Sequence, residues 1–436
     1  MLGFKVAVGL LAALLCSAGV EAQVKGVIIG PGAQSFPIAI SALKDLGMGS
    51  TPGKQGHGIA DAIAYDLELS GWFRVLDRSA YIEEPQATGI EAGTFDFRDW
   101  SVIGAEALVK GGFQVKGEDL MVELRLFDVF QQRMIVGKRY TGKTKDFRRI
   151  AHKFADEIVF QFTGVRGVFD TRLAYVSNSG GRFKEVYVAH LDGSEKVQVT
   201  SNRTINLLPS WSADGRSLLY TSYKDGRPGL YRYDLATGRE SRFSVGNGSL
   251  LGGKWSPDGR FVAATLERAG NTGLILLDSG GRFIRELTQG TSINVSPTWS
   301  PDGAEVAFVS DRSGSPQIYA VETVSGKTRR VTYGGGYHTS PAWSPKGDRI
   351  AYVARTGRRF SIFTTPAQGG EAQQLTADSG DSEDPSWSAD GRHIVFSSNR
   401  RGRYHLYVMQ ETGDQQKRLT GSGGDDINPS WSPRLN

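Results

Sequence analysis

Gly137-Lys138-Arg139-Tyr140-Thr141-Gly142-Lys143-Thr144 satisfies the spacing G-x-x-x-x-G-K-T, in which backbone amides and a lysine cradle nucleotide phosphates. Such a cradle needs a permissive backbone after a buried parallel strand. Here Lys138, Arg139 and Tyr140 continue the pattern of a meander strand, and no second acidic strand supplies Mg²⁺, so the segment reads as strand. Gly56-His57-Gly58 lacks the third glycine of a dinucleotide site and reads as a flexible loop. The six histidines are isolated, with no H-E-x-x-H and no cysteine partners, which argues against zinc. No G-x-S-x-G occurs. The one acid–base pair that can be nominated is His338 with Asp384, and a hydrolase or lyase built on it is the alternative to a binding protein. Acids gather at Asp381, Glu383 and Asp384, and again at Asp425 and Asp426, without the spacing of a Ca²⁺ hand. The expectation is a protein without metal, cofactor or catalytic residues.

The chain has 436 residues, a formal net charge of +5 and 56 glycines. Lys and Arg are scattered among Asp and Glu, so no nucleic-acid surface is expected. At the start, Lys5, the apolar run Val6 to Leu15 and Val20-Glu21-Ala22 form a secretory signal over residues 1–22, too short to span a bilayer. The only cysteine, Cys16, follows Leu15 where lipid attachment asks for a small residue. The mature chain is therefore expected to be exported, not inserted in a membrane, and free of thiol chemistry.

What positions the remaining polar residues is a repeat. Trp211, Trp255, Trp299, Trp343, Trp387 and Trp431 are each 44 residues apart, and each is followed by Ser. Five continue into a turn such as Ala213-Asp214-Gly215 or Pro257-Asp258-Gly259. An Asp-Gly turn joins two strands of a hairpin. Apolar runs such as Val306-Ala307-Phe308 and Gln317 to Val321, then Arg330-Val331-Thr332, supply the other strands. Four strands in 44 residues make one propeller blade. The first unit, from Leu173 to Thr200, has no Trp-Ser strand, and Trp431-Ser432 has nothing after it but four residues. The two ends complete one blade. The chain is thus expected to be mostly β, a six-bladed propeller with C-terminal strand closure over residues 166–436, with the tryptophans packing between blades.

Residues 23–165 lack the repeat and read as a small α/β domain. Val24 to Ile29 is a strand, Gly58 to Ser70 a helix, Ala107 to Tyr140 a meander and Asp146 to Gln161 an amphipathic helix, with the sheet covered on one side. The segments feeding the Trp-Ser strands read as loops that converge on one mouth of the ring. They bring together Asn206, Leu207, Leu250, Asn294, His338, Glu383, Asp384 and Asp426, an acidic sector beside an apolar one, as a protein-binding rim would be.

Two further stretches are distinctive: Asp66-Leu67, Ser70-Gly71-Trp72-Phe73 and Leu76-Asp77-Arg78 after the first helix, and the junction Phe162 to Val176. With the repeat, they make the chain resemble the TolB family of periplasmic propeller proteins of the Tol–Pal system, over nearly its whole length. The resemblance implies a monomeric, non-enzymatic periplasmic component that binds the lipoprotein Pal at the propeller mouth and TolA through the mature N-terminus, supporting outer-membrane integrity and constriction at division. It places Pal-sensitive positions at Ser249, Gly252 and Val295. It places the TolA-binding segment at Gln23, Val24, Lys25, Gly26, Val27, Ile28 and Ile29.

Overall fold

The computed structural model describes residues 35–47, 54–421 and 423–435, so the expected signal and the segment Gln23 to Ile29 lie outside the described residues. The first sheet contains β1 (Phe36–Ile40), β2 (Lys44–Asp45), β3 (Phe73–Val75), β4 (Ala107–Lys116), β5 (Asp119–Asp128) and β6 (Arg133–Lys143). Its order is β3-β1-β4-β5-β6, with β2 on β4. β1 runs parallel to β3 and β4, β2 runs parallel to β4, and β4-β5-β6 is an antiparallel meander. The phosphate-loop spacing thus lies along β6, hydrogen-bonded to β5, as its strand pattern requires.

Of the helices α1 (Lys54–Ser70), α2 (Arg98–Ser101) and α3 (Phe147–Thr163), the first and third cover one face of this sheet. Ile59, Ile63 and Leu67 of α1 and Ile150, Phe154 and Ile158 of α3 meet Ile38, Ile40 and Val109 there. Helix α1 starts earlier than its apolar periodicity suggested, so Gly56-His57-Gly58 is helix and not a loop. Both glycines are packing positions: a Cβ at Gly56 would press on the Leu43 carbonyl and Phe113, and one at Gly58 on Phe147. The second face is covered too, contrary to expectation. Phe95, Phe97 and Trp100 lie over Ala39, Leu108 and Phe127. A buried ion pair fastens this cover, with Glu83 receiving the Lys110 ammonium and the Trp100 indole N–H.

Six four-stranded sheets follow, and they form the ring. Five are consecutive in sequence, beginning with the innermost strands Asn206–Trp211, Ser249–Trp255, Asn294–Trp299, His338–Trp343 and Ser382–Trp387 of blades one to five. The sixth joins the last strand, Asp426–Trp431, to β7 (Arg172–Ser177), β8 (Glu185–His190) and β9 (Val197–Gln198), so the ends close the ring. Ser432 accepts the Arg172 amide at 2.9 Å, and the Trp431 indole donates to Thr171 at 2.8 Å. Outermost strands end sooner than expected: Thr328–Arg330 stops before Val331.

The tryptophans pack between blades. The indole N–H groups of Trp211, Trp299 and Trp387 donate to Ser430, Lys254 and Ala342 of the preceding blade at 2.9–3.0 Å. In four blades the Ser after the Trp ties its turn to an Asp. Ser212 bonds Asp214 and accepts the Ser217 amide, and Ser256, Ser300 and Ser388 repeat the pattern. The apolar core shared by α1 and α3 runs on without a break into Tyr175, Ala189, Val408 and Trp431, so the α/β domain is docked on the ring.

Candidate functional site

The six segments expected to be loops are the innermost strands themselves, each carrying a bulge. Pairing skips between Leu207 and Ser210, and likewise at Leu251/Lys254, Val295/Thr298, Thr339/Ala342, Glu383/Ser386 and Ile427/Ser430. At each bulge one residue takes the left-handed backbone: Leu208, Gly252, Ser296, Ser340, Asp384 and Asn428, with φ between +49° and +58°. A bulge re-aims side chains and increases twist.

Burial sorts the expected rim residues. Asn206, Asn294, His338 and Asp426 open their strands, Leu250 is second in its own, and all five are buried, so they present little surface. Asn206 donates to the Lys184 carbonyl and to Glu185, and the Asn294 amide donates to the Ser292 carbonyl. Gly252 is buried as well, its amide on Thr221 at 3.0 Å. Leu207, Ser249, Val295, Glu383 and Asp384 are half-exposed. The same segments expose Leu208 at 38% and three residues that the sequence did not single out, Ile205, Ile293 and Tyr337, at 47%, 52% and 38%. Counting back from each Trp with the bulge included would have found them.

The acidic sector is tied to its neighbours. Asp381 accepts the Phe360 amide at 2.9 Å and Asp425 the Tyr404 amide at 3.1 Å, each pinning the adjacent blade. Glu383 accepts the Tyr404 hydroxyl at 2.6 Å, and burial pushes its carboxyl up. Asp384 accepts Asn428 at 2.8 Å and Ser340 at 3.4 Å, and burial raises it too. His338 packs at a tilt against Tyr352, ring centres 5.1 Å apart, and burial, then Arg330, depresses its imidazole. It shares no hydrogen bond with Asp384 among the described residues, so the nominated acid–base pair is not assembled. Among the described residues no group of His, Cys, Asp and Glu is arranged to hold a metal.

A second cluster lies where the domains meet. His152 of α3 donates Nδ1–H to Asp66 of α1 at 2.6 Å, with both side chains buried. Its Nε2 is 4.0 Å from Asp192 in the β8–β9 turn, and its ring stacks on His190 of β8 at 5.6 Å. Arg148 binds Asp192 at 2.6 Å. Asp156 accepts the Phe169 and Asp170 amides of the linker at 2.8 and 3.3 Å. Burial pushes Asp156 up to about 7 against the pull of those two bonds.

The family model for the TolB beta propeller domain matches residues 159–435, and that for the TolB amino-terminal domain matches residues 26–135. The Tol-Pal system protein TolB of Desulfosudis oleivorans is 42% identical over 217 residues, covering 50% of this chain and 49% of that one. That of Syntrophotalea carbinolica is 40% identical over 212 residues, covering 49% of each. The chain thus spans about half the length of the curated relatives it matches. The crystal structure of TolB from Acinetobacter baumannii superposes with a TM-score of 0.78 at 27% identity, covering 92% of this chain and 97% of that one.

Proposed function

The chain belongs to the TolB family, and on that premise we propose that it is a periplasmic component of the Tol–Pal system that works by binding, without turnover. Pal docks at the propeller mouth and TolA engages Gln23 to Ile29, together supporting outer-membrane integrity and constriction at division. The observation that carries the reading is the mouth itself. Ile205, Leu208, Ile293 and Tyr337 are exposed around half-exposed Leu207 and Val295, beside the acids Glu383 and Asp384. Exposed apolar side chains set among polar groups are how a protein-binding surface looks. The five buried positions, with Gly252, shape this surface from behind, and no helix among the described residues is long and apolar enough to cross a membrane.

Calorimetric titration with the soluble domain of the cognate Pal tests this, using the native chain and the variants Val295→Arg and Ser249→Arg. Each substitution puts a long charged side chain into the patch and should weaken binding at least about tenfold, or roughly 1.4 kcal/mol, with circular dichroism unchanged. Unchanged affinity in both variants moves the Pal site off the mouth. No binding by the native chain removes the function assigned.

A further inference from the structure

The residue before each Trp lines the central channel: Ser210, Lys254, Thr298, Ala342, Ser386 and Ser430. Five are small, and two of the hydroxyls are already engaged. Thr298 and Ser386 accept the Trp343 and Trp431 amides of the next blade at 3.3 and 3.0 Å. Lys254 breaks the pattern. Its ammonium can only donate, and among the described residues it makes no hydrogen bond or ion pair. It borders a cavity of about 410 Å³ at the Trp-Ser end of the channel, within the size range of small-molecule sites. Asp384 belongs to blade five, opposite blade two in a ring of six. It acts on Lys254 across the channel, but its oxygens are taken by Asn428, Ser340 and Ser397.

We propose that the propeller channel holds a carboxylate-binding site centred on the Lys254 ammonium, with the hydroxyls of Ser210 and Ser430 beside it. A half-buried cation that no carboxylate touches is the costly element of this wall, and an entering anion supplies a counter-charge in direct contact. The carboxylate of Asp384 on the opposite wall opposes a second negative charge. That selects a monoanion over a phosphate dianion. Burial pushes the Lys254 ammonium down to about 8, with Asp384 resisting, so ligand binding draws in a proton near neutral pH.

Acetate is the probe, at constant ionic strength against chloride, with acetamide as the neutral isostere. Lysine acylation at pH 8 is followed peptide by peptide by mass spectrometry. At an acetate concentration twice the dissociation constant, Lys254 should react about threefold more slowly, while exposed lysines are unaffected and acetamide does nothing. The thermal midpoint should rise with acetate in the native chain and in Lys254→Arg, and not in Lys254→Met. An unchanged acylation rate, or equal protection by acetamide, overturns the site. A Lys254→Met chain less stable than the native one without acetate overturns it too, because the lysine is then the structural counter-ion of Asp384.

Discussion

Asp66→Asn should flatten the dependence of stability on pH between about 6.5 and 9. His152 is buried, and burial alone would push its imidazole down. Asp66 at 2.6 Å outweighs this by charge and hydrogen bond, with Asp192 and Asp170 adding, and holds the group up at about 9. An unfolded histidine titrates near about 6.5. The folded state therefore binds this proton more tightly, and the stability it contributes is fully present below pH 6.5 and lost as pH rises through 9. The gap between those values is worth roughly 3 kcal/mol. Burial also raises Asp66 itself, a contribution of the same sign that the variant removes with it. Asp156, pushed up to about 7 by burial, adds a smaller loss of the same sign at the foot of the window and is common to both chains. Burial holds His190, His338, His393 and His405 below their ordinary range, so they act with the opposite sign at the foot of the window and are common to both chains. Lys254, lowered to about 8, acts with the opposite sign at the top of the window and is common to both chains. Urea unfolding followed by tryptophan fluorescence at half-unit steps of pH measures the slope. The native chain should lose about 3 kcal/mol more across the window than Asp66→Asn, which starts from a stability lower by roughly 3 kcal/mol because a buried pair has been broken. If the variant loses as much as the native chain, His152 is not the group that titrates and the argument from Asp66 fails.

Two further outcomes follow from the ring. Ser432→Ala removes the buried hydroxyl that accepts the Arg172 amide where the ends join, and should cost about 1–2 kcal/mol in urea unfolding; no change would mean that strand pairing alone holds the closure. Gly252→Val puts a β-branched residue at a φ of +58° with its Cβ near Leu208, and should lower stability by at least about 1–2 kcal/mol, read as a fall in thermal midpoint.

The ring was legible because its signal is periodic. Six Trp-Ser pairs at one spacing fix blade number, closure and the direction every inner strand runs. The mouth was legible only to the level of which segments reach it. Reading those segments as loops hid the strand alternation, so buried Asn206 and Asn294 ranked beside half-exposed Val295 while Ile205 and Ile293 passed unremarked. The left-handed positions carry no common residue type: Leu, Gly, Ser, Ser, Asp and Asn all adopt one conformation because the ring imposes it. Helix α1 was cut short for a related reason. Glycine reads as a breaker in sequence, yet Gly56 and Gly58 are where a strand end and Phe147 come close. The clasp of Asp66, His152 and Asp192 joins residues from three distant elements, and nothing local marks any of them.

The closing strand sets an order of events for folding. Trp431 pairs with Leu173 across nearly the whole ring, and the same Trp belongs to the apolar core shared with α1 and α3. Such distant pairing forms late, because the long intervening chain must first be gathered. Until it forms, β7 is an unpaired edge and the surface that receives the α/β domain lacks one of its largest side chains. A chain emerging from its N-terminus would therefore have its first domain ready long before its seat exists. Domain docking is in this sense the last step of assembly, and a segment that captured the open edge of β7 would arrest both closure and docking at once.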